Sequence, residues 1–86
     1  HTGAFCEASS PSLRENEFEK IVSAASMAAG LNLGVNAGHG LCYHTIKRFR
    51  GLKEIDEFSI GHSIVARSTI TGMEQAVRDM VALIKG

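Results

Sequence analysis

The sequence has no tryptophan, one tyrosine and one proline, and its charges cancel, with nine Lys and Arg against nine Asp and Glu. The balanced charge argues against a nucleic-acid or anionic-membrane binder, since both normally rest on a basic excess. No apolar run approaches the ~20 residues that a membrane-spanning helix needs. The opening His1-Thr2-Gly3 carries neither the basic nor the apolar stretch of a signal peptide. Two cysteines, Cys6 and Cys42, are too few for a disulfide scaffold and read as reduced cytoplasmic thiols. The scarcity of aromatic residues predicts an aliphatic core of Ile, Val, Leu, Met and Ala. What remains is 86 residues with 44% hydrophobic content. That suits one small globular domain or a piece of one, and excludes a disordered tail.

Residues 1–12 are small and polar and read as a loop. Ser12 and Glu15 have capping-box spacing. Phe18, Ile21, Val22, Ala25, Ala28 and Ala29 then recur at helical spacing, and Gly30 suits a C-terminal cap. The pattern predicts a helix over 13–29. The apolar stretch after it predicts a buried strand over 32–37, broken by Gly38-His39-Gly40. A short helix is expected over 43–50, with Ile46 and Phe49 inward and Lys47, Arg48 and Arg50 outward. A second strand is expected over 57–60 and a short helix over 62–70. Thr71 and Glu74 repeat the capping-box spacing and open a last helix over 72–85, with Met73, Val77, Met80, Val81 and Ile84 inward. Met27, Met73 and Met80 read as core packing.

Strands alternating with helices imply an α/β fold with parallel strands and right-handed crossovers. The two strand ends resemble each other, and Gly38-His39 recurs as Gly61-His62, 23 residues on. His1-Thr2-Gly3 reads as a third such end. Three such units leave sheet edges open and do not close a barrel, which takes eight strands and ~250 residues. The absence of an initiator Met and the start inside a strand end predict the C-terminal third of a larger protein.

Ligands of parallel α/β folds bind beyond the carboxyl ends of the strands, where both Gly-His pairs fall. Glycine lets backbone amides approach a ligand, and the free amides that open a helix after Gly61 suit a phosphate. His39 lies between two glycines, and histidine is the residue type best suited to proton transfer at physiological pH; the plain alternative is a hydrogen-bonded loop histidine. His62 suits a phosphate contact or a helix cap. His44 reads as facing the short helix, without chemistry. The spacing of His39, Cys42, His44 and His62 matches no structural zinc pattern, so no metal is expected. Cys42 has no specified partner that would make it a nucleophile. The basic group Lys47, Arg48, Arg50 and Lys53 reads as a solvated face.

Three segments together resemble the pyridoxine 5'-phosphate synthase family. They are His1-Thr2-Gly3; the run Asn36-Ala37-Gly38-His39-Gly40-Leu41 with Tyr43-His44; and Ile60-Gly61-His62 with Ala66-Arg67 and Thr71-Gly72. The resemblance implies the C-terminal part of a TIM (β/α)8 barrel, from the end of strand 6 through helix 8. It implies condensation of 1-deoxy-D-xylulose 5-phosphate with 3-amino-2-oxopropyl phosphate, giving pyridoxine 5'-phosphate, inorganic phosphate and water. No metal or organic cofactor would be needed, and the full-length enzyme would be a cytoplasmic homo-octamer. On this resemblance His39 matches a catalytic histidine assigned as proton donor. Gly40, Gly61 and His62 match residues that hold 3-amino-2-oxopropyl phosphate. The family's other catalytic His and Glu would come from earlier strands, and these 86 residues alone would be inactive. Two other readings are another phosphate-binding TIM-barrel enzyme and a non-catalytic half-barrel module that binds a phosphate ligand.

Overall fold

The computed structural model describes residues 1–86. In chain order it has α1 (Gly3–Glu7), α2 (Pro11–Gly30), β1 (Asn36–Gly38), a 3-10 turn (Thr45–Arg48), β2 (Glu57–Ser59), α3 (His62–Thr71) and α4 (Met73–Lys85). The two strands pair in parallel, Asn36 opposite Glu57, Ala37 opposite Phe58 and Gly38 opposite Ser59. Alternation along each strand gives the sheet two unlike faces. Ala37 is buried, and Phe58 packs against the core beneath the helices. The other face is polar. There Asn36 Nδ2 donates to Glu57 Oε2 at 3.0 Å, and Ser59 Oγ donates to Asn36 Oδ1 at 3.1 Å.

The core is aromatic at its centre, contrary to the aliphatic expectation. Phe5, Phe18 and Phe49 form a triangle with ring centroids 4.8–6.0 Å apart, closed by Leu41, Ile46 and Met80. Phe5 also explains why residues 3–7 are helical rather than loop. Five residues have little helical stability of their own, but this turn carries Phe5 into the cluster, 2% exposed.

The helix caps differ from the expected ones. Ser10, not Ser12, caps α2; its hydroxyl accepts the Leu13 amide at 3.2 Å. Pro11 decides this, because its fixed φ and missing N–H suit the first helical position. Glu15 instead pairs with Arg48, whose Nη2 lies 3.0 Å from Oε2, and the Arg48 guanidinium sits 3.8 Å over the Phe18 ring. Arg48 is therefore fastened to α2 rather than freely solvated. At the far end of α2, Gly30 is still helical. Asn32, with φ 60°, takes the left-handed position. Its amide bonds to Ala29 O at 3.0 Å and the Leu33 amide to Ala28 O at 2.9 Å, the paired closure of a Schellman motif. This turn uses the start of the predicted 32–37 strand, which shortens to Asn36–Gly38 and leaves Leu33 exposed.

The expected helix over 43–50 is only the 3-10 turn, made of short-range bonds such as Phe49 N to Ile46 O at 3.0 Å. Gly51, at φ 89°, ends it. Ile60 lies beyond β2. Gly72, at φ 86°, joins α3 to α4 with no side-chain cap. Thr71 Oγ1 bonds to Arg67 O, and Glu74 pairs with Arg78. Of the residues expected inward on α4, Met80 is buried, whereas Met73, Val77 and Val81 are exposed; Met27 on α2 is exposed as well. Those faces have no element packed over them.

Candidate functional site

The carboxyl ends of β1 and β2 place their loops side by side. Strand pairing is offset by 21 residues, whereas the Gly-His pairs are 23 apart. Continuing the register thus brings Gly40, not Gly38, level with Gly61. Gly38 permits the close approach, since a Cβ there would stand 3.0 Å from Ser59 O. Beyond it, His39 and Gly40 both have φ 80°. Such a conformation is uncommon for a residue with a side chain and costs ~1–3 kcal/mol. Asn32 has a helix cap to explain its positive φ; His39 has none.

The third segment, His1-Thr2-Gly3, lies on the other edge of β1. Val35 O accepts the Glu57 amide, so alternation along the strand turns the Gly38 carbonyl away from β2. There Thr2 N donates to it at 2.8 Å. The Thr2 hydroxyl lies 2.8 Å from Gly38 O and 2.7 Å from His39 O, and the residue is fully buried. The His1 and His39 rings stack, with centroids 4.3 Å apart and planes at 25°.

On the β2 side, α3 begins at His62 after Gly61, without a side-chain cap. The first helical bond runs from Val65 N to Gly61 O, so the preceding amides are free of helical partners. Ser63 Oγ donates to Leu41 O at 3.1 Å and ties the two loops together. His39, Gly40, Gly61 and His62 line one cleft of ≈ 510 Å³, with Cys42, Ser59 and Ser63. All four residues singled out in the sequence are thus brought together. His44 is not among them; it lies on the outer surface beside Lys47. No group of three or more His, Cys, Asp or Glu is arranged to hold a metal.

At the edge of the cleft, Cys6 and Cys42 flank one hydroxyl, with their sulfurs 3.8 and 3.4 Å from Thr45 Oγ1. Burial raises the Cys6 thiol pKa, and the Thr45 hydrogen bond only partly offsets it. Burial also pushes Cys42 up, but hydrogen bonds from the Thr45 side chain and the Thr45 and His44 backbone outweigh it, so its pKa is lowered. On the helix side, the Arg67 guanidinium lies 3.5 Å over the Tyr43 ring and its Nη1 lies 3.3 Å from Asp79. The Tyr43 hydroxyl donates to Ala76 O at 2.7 Å. These contacts lock α3 and α4 to the loop that follows His39. The fixing roles of Thr2, Ser63 and Tyr43 carry no local sequence signal, because each bond spans more than 20 residues.

The family model for the pyridoxal phosphate biosynthesis protein PdxJ matches residues 1–86. Among curated proteins, the chain is 65% identical over 85 residues to a pyridoxine 5'-phosphate synthase from Desulforapulum autotrophicum. It is 62% identical over 84 residues to one from Desulfosudis oleivorans, and 49% identical over 86 residues to one from Syntrophobacter fumaroxidans. The matches cover 99, 98 and 100% of the chain, and 36% of each relative. The chain therefore spans about a third of the length of these relatives.

Proposed function

The chain belongs to the pyridoxal phosphate biosynthesis protein PdxJ family, and from that premise we propose that it is part of a pyridoxine 5'-phosphate synthase. The full-length chain condenses 1-deoxy-D-xylulose 5-phosphate with 3-amino-2-oxopropyl phosphate, without metal or organic cofactor, as a cytoplasmic homo-octamer. The segment is the C-terminal part of its TIM barrel, from the end of strand 6 through helix 8. Three features support that placement: the parallel pairing of β1 and β2, a groove of ≈ 430 Å³ lined by α2, His1, Thr2 and the edge of β1 away from β2, and exposed apolar residues such as Leu33, Met27 and Ile70. The polar face of Asn36, Glu57 and Ser59 would turn toward the barrel interior.

One observation carries the functional reading. The two adjacent strand ends bring His39, Gly40, Gly61 and His62 to one cleft at the opening turn of α3. In the proposal His39 donates a proton, because imine formation, phosphate elimination and ring closure all move protons and need an acid at departing oxygen. Gly40, Gly61 and His62 hold 3-amino-2-oxopropyl phosphate, its phosphate against the free amides of α3. The remaining acid–base groups come from the rest of the chain, so these 86 residues alone do not turn over.

The test is Gly61→Val in a full-length synthase chain carrying this segment. Gly61 has φ −129°, outside the left-handed region, and a Cβ there meets nothing within 4 Å. Titrating each substrate separately should show 3-amino-2-oxopropyl phosphate weakened far more than 1-deoxy-D-xylulose 5-phosphate. Equal weakening of both, or none, would assign the cleft to the wrong ligand.

A further inference from the structure

We propose that Thr2 and Gly3 are positioning residues for His39, Thr2 by fixing its backbone and Gly3 by making room for its ring. The proposal rests on the reading of His39 as the proton donor. Two peptide planes flank the Cα of a residue, one on each side, and their orientations set its φ and ψ. For His39 these planes carry the Gly38 and His39 carbonyls, and Thr2 grips both. Its amide donates to Gly38 O at 2.8 Å. Its hydroxyl lies 2.7 Å from His39 O and 2.8 Å from Gly38 O; Gly38 O already accepts the amide, so donation to the His39 carbonyl leaves neither carbonyl without a partner. Both dihedrals of a residue at φ 80° are thereby held from a neighbouring segment. Full burial of Thr2 keeps water from competing for these bonds.

Gly3 acts on the ring. A Cβ at this position would stand 2.8 Å from His39 Cδ2 and 2.8 Å from His1 Cε1. The two stacked imidazoles therefore lie over bare backbone. Gly3 lies inside α1 and its φ is not positive, so the missing side chain serves the rings and not the turn.

The experiment compares Thr2→Val, Thr2→Ser and Gly3→Ala in the full-length chain, each alone and combined with His39→Asn. Thr2→Val keeps the volume and loses the hydroxyl. A misplacement of ~1 Å can cost on the order of 10²-fold in rate, so kcat should fall ~10–100-fold while KM for both substrates stays within about twofold. Thr2→Ser should restore most of the turnover. Gly3→Ala should lower kcat similarly without loss of fold, because the atoms that must give way are the ends of two imidazole side chains and not backbone; it carries the test if Thr2→Val does not fold. In the His39→Asn background none of these changes should slow turnover further, which a merely structural role would not produce. Wild-type kcat in Thr2→Val and Gly3→Ala, or full losses persisting beside His39→Asn, would overturn the proposal. A crystal structure of Thr2→Val separates the two readings: retention of the His39 φ would overturn the clamp whatever His39 does in catalysis. Full turnover in His39→Asn alone would instead overturn the proton-donor assignment.

Discussion

The aromatic cluster under the helices and the rim at the strand ends are built on opposite terms. Phe5, Phe18 and Phe49 meet through ring faces and edges, exclude water and make no directed bond among themselves. The rim is exposed at His39, Gly40, Gly61 and His62, and fixed by a few directed hydrogen bonds from Thr2 and Ser63. Shape holds the first region; backbone orientation holds the second. Substitutions in the cluster should therefore cost stability with the chemistry of the folded molecules intact, and substitutions at the rim the reverse. Exposure of a strained histidine contributes nothing to folding, which is a reason to look there for function.

Phe49→Ala should break the comparison hardest on the cluster side. Phe49 is 1% exposed, and truncating a buried phenylalanine costs ~3–5 kcal/mol. Denaturant unfolding of the full-length chain should show that loss, while kcat per folded molecule stays near wild type. A large fall in kcat at unchanged stability would erase the distinction between the two regions.

Asn32 is the control for His39, since both have positive φ and only one lines the cleft. Asn32→Ala should cost ~1 kcal/mol through the left-handed backbone, and Asn32→Gly should cost little. Neither should alter turnover, as measured by steady-state kinetics. Gly30→Ala should move stability the other way by ~0.5–1 kcal/mol, because Gly30 is helical and a Cβ there meets nothing.

The smallest effect concerns the two thiols beside the rim. With its pKa lowered, Cys42 holds more thiolate at a given pH than Cys6, whose pKa is raised. Alkylation by iodoacetamide, followed by peptide mass spectrometry, should mark Cys42 first near neutrality. Cys6 should follow only as the pH rises. The opposite order would contradict the Thr45 hydrogen-bond pattern.

The sequence made the rim partly readable because its signals are local. A glycine followed by a histidine stands at or just after the end of each strand, although the register sets the two pairs two residues apart. The mixed order of strands and helices was readable for the same reason. What holds the rim was not, because Thr2 reaches Gly38 and His39 across 36 and 37 residues. The aromatic core was hidden likewise: a low count of Phe does not say that three of the four converge. The caps were misplaced by competition between neighbours, Ser10 against Ser12 and Gly30 against Asn32, which Pro11 and the Schellman closure resolve. On α4 the periodicity marks an apolar face, but packing covers only part of it, leaving Met73, Val77 and Val81 open.

The most direct measurement is turnover of His39→Asn in the full-length chain carrying this segment, with each substrate titrated separately. A positioned acid is worth ~10²–10⁴-fold in rate, and a loss of that size is expected while both substrates bind nearly as before. Unchanged turnover would make His39 a stacked loop histidine and contradict the assignment of the rim as the place where the protein does its chemistry.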